Sequence, residues 1–471
     1  IEERDWSSDV CSSDLEILMK KLIALLLAVV MVMGLAACGS KTTTETKAPT
    51  EAKVDTPATE AKTDAPAAAG SVYYLNFKPE FDQALQGLAA SYTEKTGVPV
   101  KVVTAASGDY SNTLNAQMGK DGAPTVYNIG NMSGLKDWDE YALDLTGTAL
   151  AGELATNDFN LYNEAGELKA MGYCYESFGI IVNTKLLADA GHSLDEIKDF
   201  ASLKAVADDI HARAAELGFD AFSSAGLDSS SSWRFSGHLA NMPLYYEFRD
   251  DGVTEQPAEI KGTYLDNFRN IWDLYITDSA ADPTALSTAT GDQSEAEFGE
   301  GKAVFYQNGT WEYAALTADK FNLNPDEIAM IPIYCGVDGE EKAGLCSGTE
   351  NCWAINSQAK EEDIQASLDF LYWLVTDPDA SAVLVEQLGA VPFKSCPASA
   401  NKFIVDGNAL LADGKYAVTW AFNYTPNVDS WRATVVTALA AYSADPTDAN
   451  WEAVKTAFVD GWAIEYKTVN G

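Results

Sequence analysis

Residues 71–129 read SVYYLNFKPEFDQALQGLAASYTEKTGVPVKVVTAASGDYSNTLNAQMGKDGAPTVYNI and set the fold class. Apolar residues recur at helical spacing from Phe81 to Tyr92, and Gly97 ends that pattern. Short runs rich in Val and Tyr lie on either side of it and predict strands. The predicted elements are strands at 71–77, 98–105 and 125–129 and helices at 80–97 and 110–120. This β-α-β-α-β order predicts an α/β body whose mostly parallel sheet is covered by helices on both faces.

The rest of the body repeats this alternation. A capping box at 193–196 marks a helix start, Asp377-Pro378 separates two helical stretches, and Gly389 ends the second of them. Helical sequence is predicted at 193–217, 357–376 and 380–389 and from 430 onwards. A body of about 400 residues is expected to divide into two lobes, because a single core stops growing below that size.

The predicted strand ends are candidate binding positions, because ligands of such sheets bind at the carboxyl ends of the strands. These ends read Asn76-Phe77-Lys78, Ser107-Gly108-Asp109 and Gly130-Asn131. No glycine-rich turn follows the first strand, and 299–303 (GEGKA) lacks the distal glycine and the Ser or Thr of a phosphate-binding loop. The sequence therefore argues against a nucleotide site.

Composition excludes further function classes. The chain has 471 residues, 47% of them apolar, with 31 basic and 70 acidic residues and a net charge of −39. So acidic a surface repels phosphate backbones and anionic lipids, and nucleic-acid binding is not expected. Only three histidines occur, and no CxxC pair or Cys/His cluster is present. We therefore expect neither a metal site nor a cofactor.

Seven cysteines are present, and five remain when Cys11 and Cys38 are set aside. Cys335 and Cys346 flank an Asp338-Gly339 turn signal and could be bridged across a hairpin. The alternative is that all five are reduced and mostly buried, and the spacing leaves both open.

An export segment precedes the body. Met19-Lys20-Lys21 forms a positive region, and the apolar run 22–35 is shorter than the ~20 residues that cross a bilayer. The run ends in Leu35-Ala36-Ala37-Cys38-Gly39, which resembles a bacterial lipobox. We therefore expect 19–37 to be a lipoprotein signal peptide and Cys38 to become the acylated N-terminus.

Two flanking segments complete this prediction. Residues 38–70 are rich in Thr, Ala and Pro and hold no aromatic residue, so they read as the lipidated cysteine and a disordered tether. Residues 1–18 carry Glu, Asp and Trp ahead of the Met-Lys-Lys start and do not fit a signal sequence. We interpret 1–18 as non-native upstream sequence.

Four stretches in fixed order carry a family resemblance. They are 81–100 ending in TEKTGVPV, 173–187 with GIIVNTK, 298–311 (FGEGKAVFYQNGTW), and 351–356 (NCWAIN) followed by GAVP at 389–392. Together they resemble the family 1 extracellular solute-binding proteins, the sugar receptors of ABC importers that include the maltodextrin-binding proteins. The resemblance covers essentially all of 71–471.

The resemblance implies two α/β lobes of the type II periplasmic-binding-protein fold, joined by hinge crossovers, with the ligand in the cleft between them. The implied boundaries are 71–176 plus 336–392 for lobe 1 and 177–335 plus 393–471 for lobe 2. The implied protein is not an enzyme. It is a monomer anchored by Cys38 at the outer face of the cytoplasmic membrane, which delivers a carbohydrate, most simply an oligosaccharide, to separate ABC permease subunits.

A sugar cleft needs polar groups for hydroxyls and aromatic rings for C–H faces. The resemblance points to Trp311, Trp431 and Glu176, and the strand-end argument points to Asn131, Lys78, Glu80 and Asp109. Trp233 follows a Ser-rich loop, and Glu350 and Asn351 lie at the return crossover. Trp272, Trp373 and Trp462 lie at helical spacing among apolar residues and are interpreted as core, whereas Trp420 is left open between cleft and core.

Two other function classes remain as alternatives. A secreted glycosidase would use paired carboxylates. The chain has 70 acidic residues, so such a pair is easy to find and does not indicate this function. A receptor for peptides or polyamines would suit an acidic chain. The aromatic residues at the strand ends favour a sugar, but the identity, length and linkage of that sugar depend on loop shape and stay open.

Overall fold

The computed structural model describes residues 70–106, 108–223 and 226–471. The upstream, signal and lipidation segments predicted before residue 70 lie outside the described residues. In the part of the chain that is described, no helix is both long and apolar enough to cross a bilayer.

The strands form two sheets. In chain order they are β1 (Val72–Asn76), β2 (Val100–Thr104), β3 (Val126–Asn128), β4 (Leu161–Tyr162), β5 (Leu168–Gly172), β6 (Glu176–Asn183), β7 (Asp220–Phe222), β8 (Ala303–Gly309), β9 (Ile328–Ile331), β10 (Ala343–Gly348), β11 (Cys352–Ile355) and β12 (Tyr416–Thr419).

The helices cover the faces of these sheets. They are α1 (Asp82–Thr96), α2 (Tyr110–Met118), α3 (Met132–Trp138), α4 (Ala149–Gly152), α5 (Thr184–Asp189), α6 (Phe200–Ala212), α7 (Ala214–Leu217), α8 (Ala240–Asp251), α9 (Leu265–Thr277), α10 (Gly291–Gly299), α11 (Glu312–Thr317), α12 (Glu361–Thr376), α13 (Pro378–Leu388), α14 (Lys402–Ala412), α15 (Val428–Ala444) and α16 (Asp448–Asn470).

The first sheet has the strand order β2-β1-β3-β11-β5-β4. Its β2-β1-β3 part is parallel, which confirms the predicted β-α-β-α-β unit, and β11 joins it antiparallel to β3. Strand β1 is buried throughout, because Tyr74 packs in the core on one face while Leu75 packs with Leu114 on the other. Such two-sided burial is typical of parallel strands with helices on both faces.

The second sheet has the order β12-β10-β6-β8-β7, with β9 also paired to β6. Strand β10 pairs antiparallel with β6, so residues 343–348 belong to this sheet and not to the first. The predicted boundary assigned 336–392 to lobe 1. Residues 343–348 of that range instead form a strand of the second sheet. We propose that the return to the first sheet occurs at 349–351, between β10 and β11.

The two connections between the sheets run side by side. The backbone N–H of Tyr173 donates to the carbonyl of Asn351 at 2.9 Å. The Thr349 hydroxyl donates to the carbonyl of Cys174 at 2.7 Å, and the N–H of Tyr175 donates to the carbonyl of Ala390 at 3.0 Å. The segments 173–175, 349–351 and 390 are thus tied together by two backbone hydrogen bonds and one from a threonine hydroxyl.

The predicted helices form with small boundary differences. The capping box at Ser193 and Glu196 is present, but it starts a single 3₁₀ turn, because Ile197 returns to an extended conformation. Helix α6 then begins at Phe200 with its own capping residue, Asp199. In the last part of the chain, α15 and α16 replace the single helical stretch predicted from residue 430.

The five cysteines of the body are free thiols in the described structure, as in the second of the two predicted alternatives. The turn at Gly339 leads into a 3₁₀ segment rather than a hairpin, and β9 and β10 both pair with β6 instead of with each other. The Cys346 sulfur lies 3.6 Å from the sulfur of Met242.

Helix α1 offers a matched pair of glycines for a stability test. Gly97 ends the helix with φ +77°, and Gly87 lies inside the helix with no unusual φ; an added Cβ meets nothing within 4 Å at either position. We expect Gly97→Ala to destabilise the protein by about 1 kcal/mol, because alanine is strained in the left-handed region. Gly87→Ala should stabilise it by about 0.5–1 kcal/mol. Urea denaturation midpoints that shift in the same direction would contradict this assignment.

Candidate functional site

Lys78 follows the first strand and is fixed there by local hydrogen bonds. The buried Asn76 side chain accepts a hydrogen bond from the backbone N–H of Lys78 at 3.1 Å and donates to its carbonyl at 2.6 Å. Pro79 then starts a 3₁₀ turn that carries Glu80. The end of β1 therefore directs an ammonium group and a carboxylate toward the connections between the sheets.

A buried ion pair joins this strand end to β6. The Lys78 Nζ lies 2.7 Å from Glu176 Oε1, with side chains only 5% and 7% exposed, and 2.8 Å from Glu80 Oε1, which is 44% exposed. Burial alone would lower the pKa of the Lys78 ammonium, but the two carboxylates outweigh it and raise that pKa well above its usual value. Lys78 is therefore a permanent cation shared by two carboxylates.

Asn351 completes the polar network from the second connection. Its Nδ2 donates to Glu176 Oε2 at 2.7 Å, and its backbone N–H donates to the Thr349 hydroxyl at 2.8 Å. Asn351 is 1% exposed, yet its Oδ1 has no hydrogen-bond partner among the described residues. We call Lys78, Glu80, Glu176 and Asn351 the polar network.

Glu350 lies beside this network and contacts the start of α15. Its carboxylate is 3.8 Å from Arg432 Nη2, and its carbonyl accepts a hydrogen bond from Asn128 Nδ2 at 3.0 Å. Burial raises the pKa of the Glu350 carboxyl, while the Arg432 guanidinium opposes that rise. The buried Arg432 Nε has no hydrogen-bond partner in the described part of the chain.

Four rings form an aromatic cluster on the second sheet: Phe178, Trp233, His238 and Trp311. His238 stacks on Phe178 with centroids 3.9 Å apart, and its centroid lies 5.0 Å from Trp233 and 5.4 Å from Trp311. The two tryptophan rings are 5.9 Å apart. Both tryptophans are half-buried.

The backbone around Trp311 fixes the position of its ring. The Trp311 ring lies over Gly309, where a Cβ would come within 2.1 Å of the indole. Only glycine permits that approach without displacing the ring, and the following Thr310 is tied to β6 by its N–H, which donates to the carbonyl of Ser177 at 2.8 Å. The GTW sequence at the end of β8 therefore sets the ring position.

His238 is held as a neutral ring. It lies in a π-helical segment, Arg234–Leu239, and its Nδ1 accepts a hydrogen bond from Gln307 Nε2 at 3.0 Å. Burial lowers the pKa of His238 well below its usual value, and the Arg432 and Arg234 cations lower it further. With Nδ1 acting as acceptor, the proton is on Nε2, which leaves an N–H donor on this ring.

Glu312 follows Trp311 and opens α11. Its Oε1 accepts a hydrogen bond from Asn308 Nδ2 at 2.8 Å. Burial raises the pKa of Glu312 to about 8, and repulsion by Glu295 adds to this, while the Arg234 guanidinium opposes it. Glu312 is therefore largely protonated at neutral pH.

Strand β6 joins the polar network to the aromatic cluster. Glu176 is its first residue and Phe178 its third. Alternate residues of a strand point to the same face, so the carboxylate that pairs with Lys78 and the ring that stacks on His238 share one face. The site thus offers charged hydrogen-bonding groups and flat rings side by side.

Not every predicted residue joins this site. Trp431 is 0% exposed; its ring packs on Phe458 and Trp462, and its Nε1 donates to the carbonyl of Phe458. The structure therefore places Trp431 in the core, and its predicted ligand role is not supported. Asp109 is exposed at the start of α2 and accepts a hydrogen bond from Asn112 Nδ2 at 2.8 Å.

Asn131 has a local role that the sequence did not indicate. Its Oδ1 caps α3 by accepting a hydrogen bond from the Gly134 N–H at 2.8 Å. The preceding Gly130 nonetheless lies close to Glu350, because a Cβ there would be 3.5 Å from the Glu350 carbonyl oxygen. Asn131 is therefore a neighbour of the site and not a member of the polar network.

The remaining tryptophans have definite positions. Trp272 and Trp462 are fully buried, and Trp373 packs half-buried against Tyr92. Trp420 was left open by its sequence; its ring is buried, covers Gly348, and donates from Nε1 to the carbonyl of Cys346 at 3.0 Å. Trp420 is therefore a packing residue.

Sequence reasoning did not single out His238 of the aromatic cluster, nor two residues that adjoin the site, Glu312 and Arg432. Glu312 and Arg432 directly follow the predicted residues Trp311 and Trp431. In each motif the sequence pattern pointed to the tryptophan and not to the charged residue after it. His238 had no local signal, because its contacts with Phe178 and Gln307 are far away in sequence.

Two observations bear on other kinds of site. No group of three or more His, Cys, Asp or Glu within the described residues is placed to hold a metal ion.

A cavity of about 440 Å³ lies on the second-sheet side, between the 3₁₀ segment Pro283–Thr288 and α10. None of its lining residues belongs to the polar network or the aromatic cluster.

Comparison with known families identifies the kind of protein this chain resembles. The family model described as bacterial extracellular solute-binding protein matches residues 87–408, which is more than half of the chain. A search among curated proteins finds no match.

Solved structures share the fold at low sequence identity. The solute-binding protein RafE in complex with raffinose has a TM-score of 0.68 at 15% identity and covers 84% of this chain and 99% of its own. A chitin oligosaccharide binding protein has a TM-score of 0.67 at 16% identity, with 86% and 100% coverage. A sugar transporter protein of Bacillus licheniformis in complex with stachyose has a TM-score of 0.64 at 15% identity, with 84% and 100% coverage. These chains have the two-lobe type II periplasmic-binding-protein fold, which confirms the predicted fold class.

The buried ion pair gives a stability test. We expect Lys78→Met to destabilise the protein by about 3–5 kcal/mol, because Glu176 would keep its buried charge without a cation. The double variant Lys78→Met with Glu176→Gln should lose less than the single variant, which a double-mutant cycle of urea denaturation midpoints measures.

A surface lysine provides the control. Lys185 pairs with Asp189 at side-chain exposures of 57% and 49%, so Lys185→Met should leave the midpoint nearly unchanged. Equal shifts for the Lys78 and Lys185 variants would show that the Lys78 pair is not a structural interaction.

Proposed function

This chain belongs to the bacterial extracellular solute-binding proteins, and from that premise we propose that it is the carbohydrate receptor of an ABC importer. It binds its sugar reversibly, without turnover, in the cleft between its two lobes. The ligand is most simply an oligosaccharide, since structurally similar proteins are described with raffinose, stachyose and chitin oligosaccharide.

The observation that carries the proposal is the joining of flat rings and buried polar groups on one face of β6. Sugar C–H faces pack on aromatic rings, and sugar hydroxyls need both donors and acceptors. Trp311 and Trp233 supply the rings, while Glu176 and Asn351 supply the polar atoms. Because Lys78 already holds Glu176, and Glu176 accepts a hydrogen bond from Asn351, little side-chain entropy remains to be lost on binding.

We propose a revised set of ligand-contacting residues. It keeps the predicted Lys78, Glu80, Asn131, Glu176, Trp233, Trp311, Glu350 and Asn351, adds His238, Glu312 and Arg432, and omits Trp431 and Asp109. The lobes follow the predicted division except that the return to lobe 1 is at 349–351, and ligand binding closes them about the connections at 173–175 and 349–351.

The cellular setting follows from the export segment. We propose that the mature chain begins at Cys38, that acyl chains on this residue hold it at the outer face of the cytoplasmic membrane, and that 41–70 acts as the tether. The monomeric receptor then delivers its sugar to permease and ATPase subunits on other chains.

The role of the aromatic cluster can be tested by ligand titration. We expect Trp311→Ala to weaken binding of the best sugar by roughly 10- to 100-fold, because stacking and apolar contact with the indole are lost. Tryptophan fluorescence and calorimetric titration of residues 41–471 with mono- and oligosaccharides measure this, and ligand should raise the melting temperature of the unmodified protein.

The matched control is Trp373→Ala. Trp373 is a half-buried indole that packs against Tyr92, remote from the aromatic cluster, so affinity should be unchanged in the folded protein. Equal affinity of the Trp311 variant would remove Trp311 from the site. Steady release of products from any glycan would refute a binding function and indicate a glycosidase.

Anchoring can be tested separately. We expect Cys38→Ser to abolish incorporation of labelled fatty acid and to move the protein from the membrane fraction to the medium or periplasm, because no acylated cysteine remains. Cys11→Ser should have no effect, since Cys11 lies upstream of the expected cleavage site. Recovery of peptides containing Trp6 from the mature native protein would contradict the proposed processing.

A further inference from the structure

The loops that follow β2 and β7 lie away from the segments that connect the two sheets. Strand β2 is the edge strand of the first sheet, three places from β11, which the connection 349–351 enters. Strand β7 is the edge strand of the second sheet, two places from β6, which the connection 173–175 enters. Neighbouring strands are about 4.8 Å apart, so these edges lie roughly 10–14 Å from the strands that the connections enter. A contact between the two loops is therefore separate from the proposed hinge.

The backbones of these loops meet at Gly108 and Ser229. Gly108 lies between β2 and α2 with φ +76°, and a Cβ built on it would be 3.3 Å from the carbonyl oxygen of Ser229. Few side chains make so short a contact, so a residue larger than glycine at 108 would press against Ser229. By the proposed division, Gly108 belongs to lobe 1 and Ser229 to lobe 2. The lobes therefore touch here, and a glycine permits the approach.

The lobe 1 side of this contact is linked to the polar network. The N–H of Ala105 donates to the carbonyl of Asn76 at 3.1 Å, which extends the pairing of β2 with β1. Asn76 is also the residue whose side chain holds the backbone of Lys78. The N–H of Asp109 then donates to the carbonyl of Ala106 at 3.0 Å and closes a turn. The position of this turn therefore follows the end of β1.

On the lobe 2 side, Ser229 belongs to a loop held by its own hydrogen bonds, residues 228–233, which we call the serine loop. Asp228 Oδ1 accepts hydrogen bonds from the N–H of Ser230 at 3.0 Å and from its hydroxyl at 2.7 Å. The Ser230 carbonyl in turn accepts a hydrogen bond from Trp233 Nε1 at 2.9 Å. The loop that offers a carbonyl to lobe 1 is therefore the loop that positions a ring of the aromatic cluster.

A buried arginine fixes the serine loop on the second sheet. Arg234 is 2% exposed; its Nη2 donates to the Ser231 hydroxyl at 2.8 Å, and its Nη1 donates to the carbonyl of Gln307, on β8, at 2.9 Å. The Ser230 hydroxyl also accepts a hydrogen bond from the N–H of Gly291, at the start of α10, at 3.1 Å. Contacts within lobe 2 are therefore sufficient to hold the serine loop.

We propose that Gly108 and Ser229 form a closing contact, which is made when the lobes close over a bound sugar and broken when they open. This inference rests on the proposed function and concerns the closure of the same site. One backbone contact contributes little free energy, so the closed state gains its stability from a sugar that contacts both lobes. Gly108 is then a positioning residue: it lets the lobes reach the closed distance and does not contact the sugar.

The test compares two glycines of lobe 1 that have the same backbone conformation. Gly122 has φ +75°, and a Cβ built on it meets nothing within 4 Å, whereas a Cβ at Gly108 would press on Ser229. Asparagine tolerates the left-handed region, so Gly108→Asn and Gly122→Asn carry similar backbone strain and differ in the interlobe contact. Their urea denaturation midpoints should agree.

Sugar binding should separate the two variants. The lipid-free mature chain is titrated calorimetrically with a panel of mono- and oligosaccharides that includes raffinose, stachyose and chitotetraose, and the tightest binder is used in stopped-flow tryptophan fluorescence. We expect Gly108→Asn to weaken binding about tenfold, mainly through faster dissociation, because the open complex forms normally but closes poorly. Gly122→Asn should match the unmodified protein in affinity and in both rate constants.

Two measurements on the unmodified protein need no variant. Saturation with the same sugar should lower the radius of gyration in small-angle X-ray scattering, because the lobes close. It should also slow hydrogen exchange in the peptide spanning 106–112, which lies outside the proposed ligand contacts. In saturated Gly108→Asn, the radius of gyration should stay close to the sugar-free value and exchange at 106–112 should stay fast. The results for the unmodified protein decide the proposal even if Gly108→Asn does not fold.

The outcomes separate the two proposals. Equal affinity and dissociation rate for the two asparagine variants, or exchange at 106–112 that the sugar leaves unchanged, would overturn the closing contact and leave the carbohydrate receptor intact. Binding of no carbohydrate in the panel would overturn the proposed function, and the inference with it.

Discussion

The buried ion pair between Lys78 and Glu176 is the interaction on which the site depends. It joins the end of β1 in the first sheet to the start of β6 in the second, at 2.7 Å and with almost no solvent access. Two charges buried in this way stay together, because separating them would leave each one unpaired in a medium of low polarity. Asn351, in the connection between β10 and β11, donates a hydrogen bond to Glu176. The end of β1, the start of β6 and this connection therefore meet at one point.

Strand β6 connects that fixed point to the aromatic cluster. Its first residue belongs to the polar network, its third carries the ring beneath His238, and the residue between them is bonded to Thr310, just before Trp311. A single strand thus sets the spacing between charged groups and rings. Gly309 allows the Trp311 ring to lie against the backbone, and the π-helical segment carries His238 in the aromatic cluster.

Acidic side chains are solvated at the surface but partly buried near the polar network. Most of the net charge of −39 is solvated and contributes to solubility. Near the polar network, burial makes the same charge costly, so Glu312 and Glu350 both have raised pKa values.

The sequence by itself determined what depends on near neighbours. The β-α-β-α-β unit and the helix end at Gly97 follow from local periodicity and backbone strain, and they form as predicted. The tertiary structure decided what depends on distant partners. It placed 343–348 in the second sheet through pairing with β6, and it turned Trp431 into the core and Arg432 toward Glu350. Consecutive helix positions point about 100° apart, and only the packing of α15 against α16 fixes which of them faces the site.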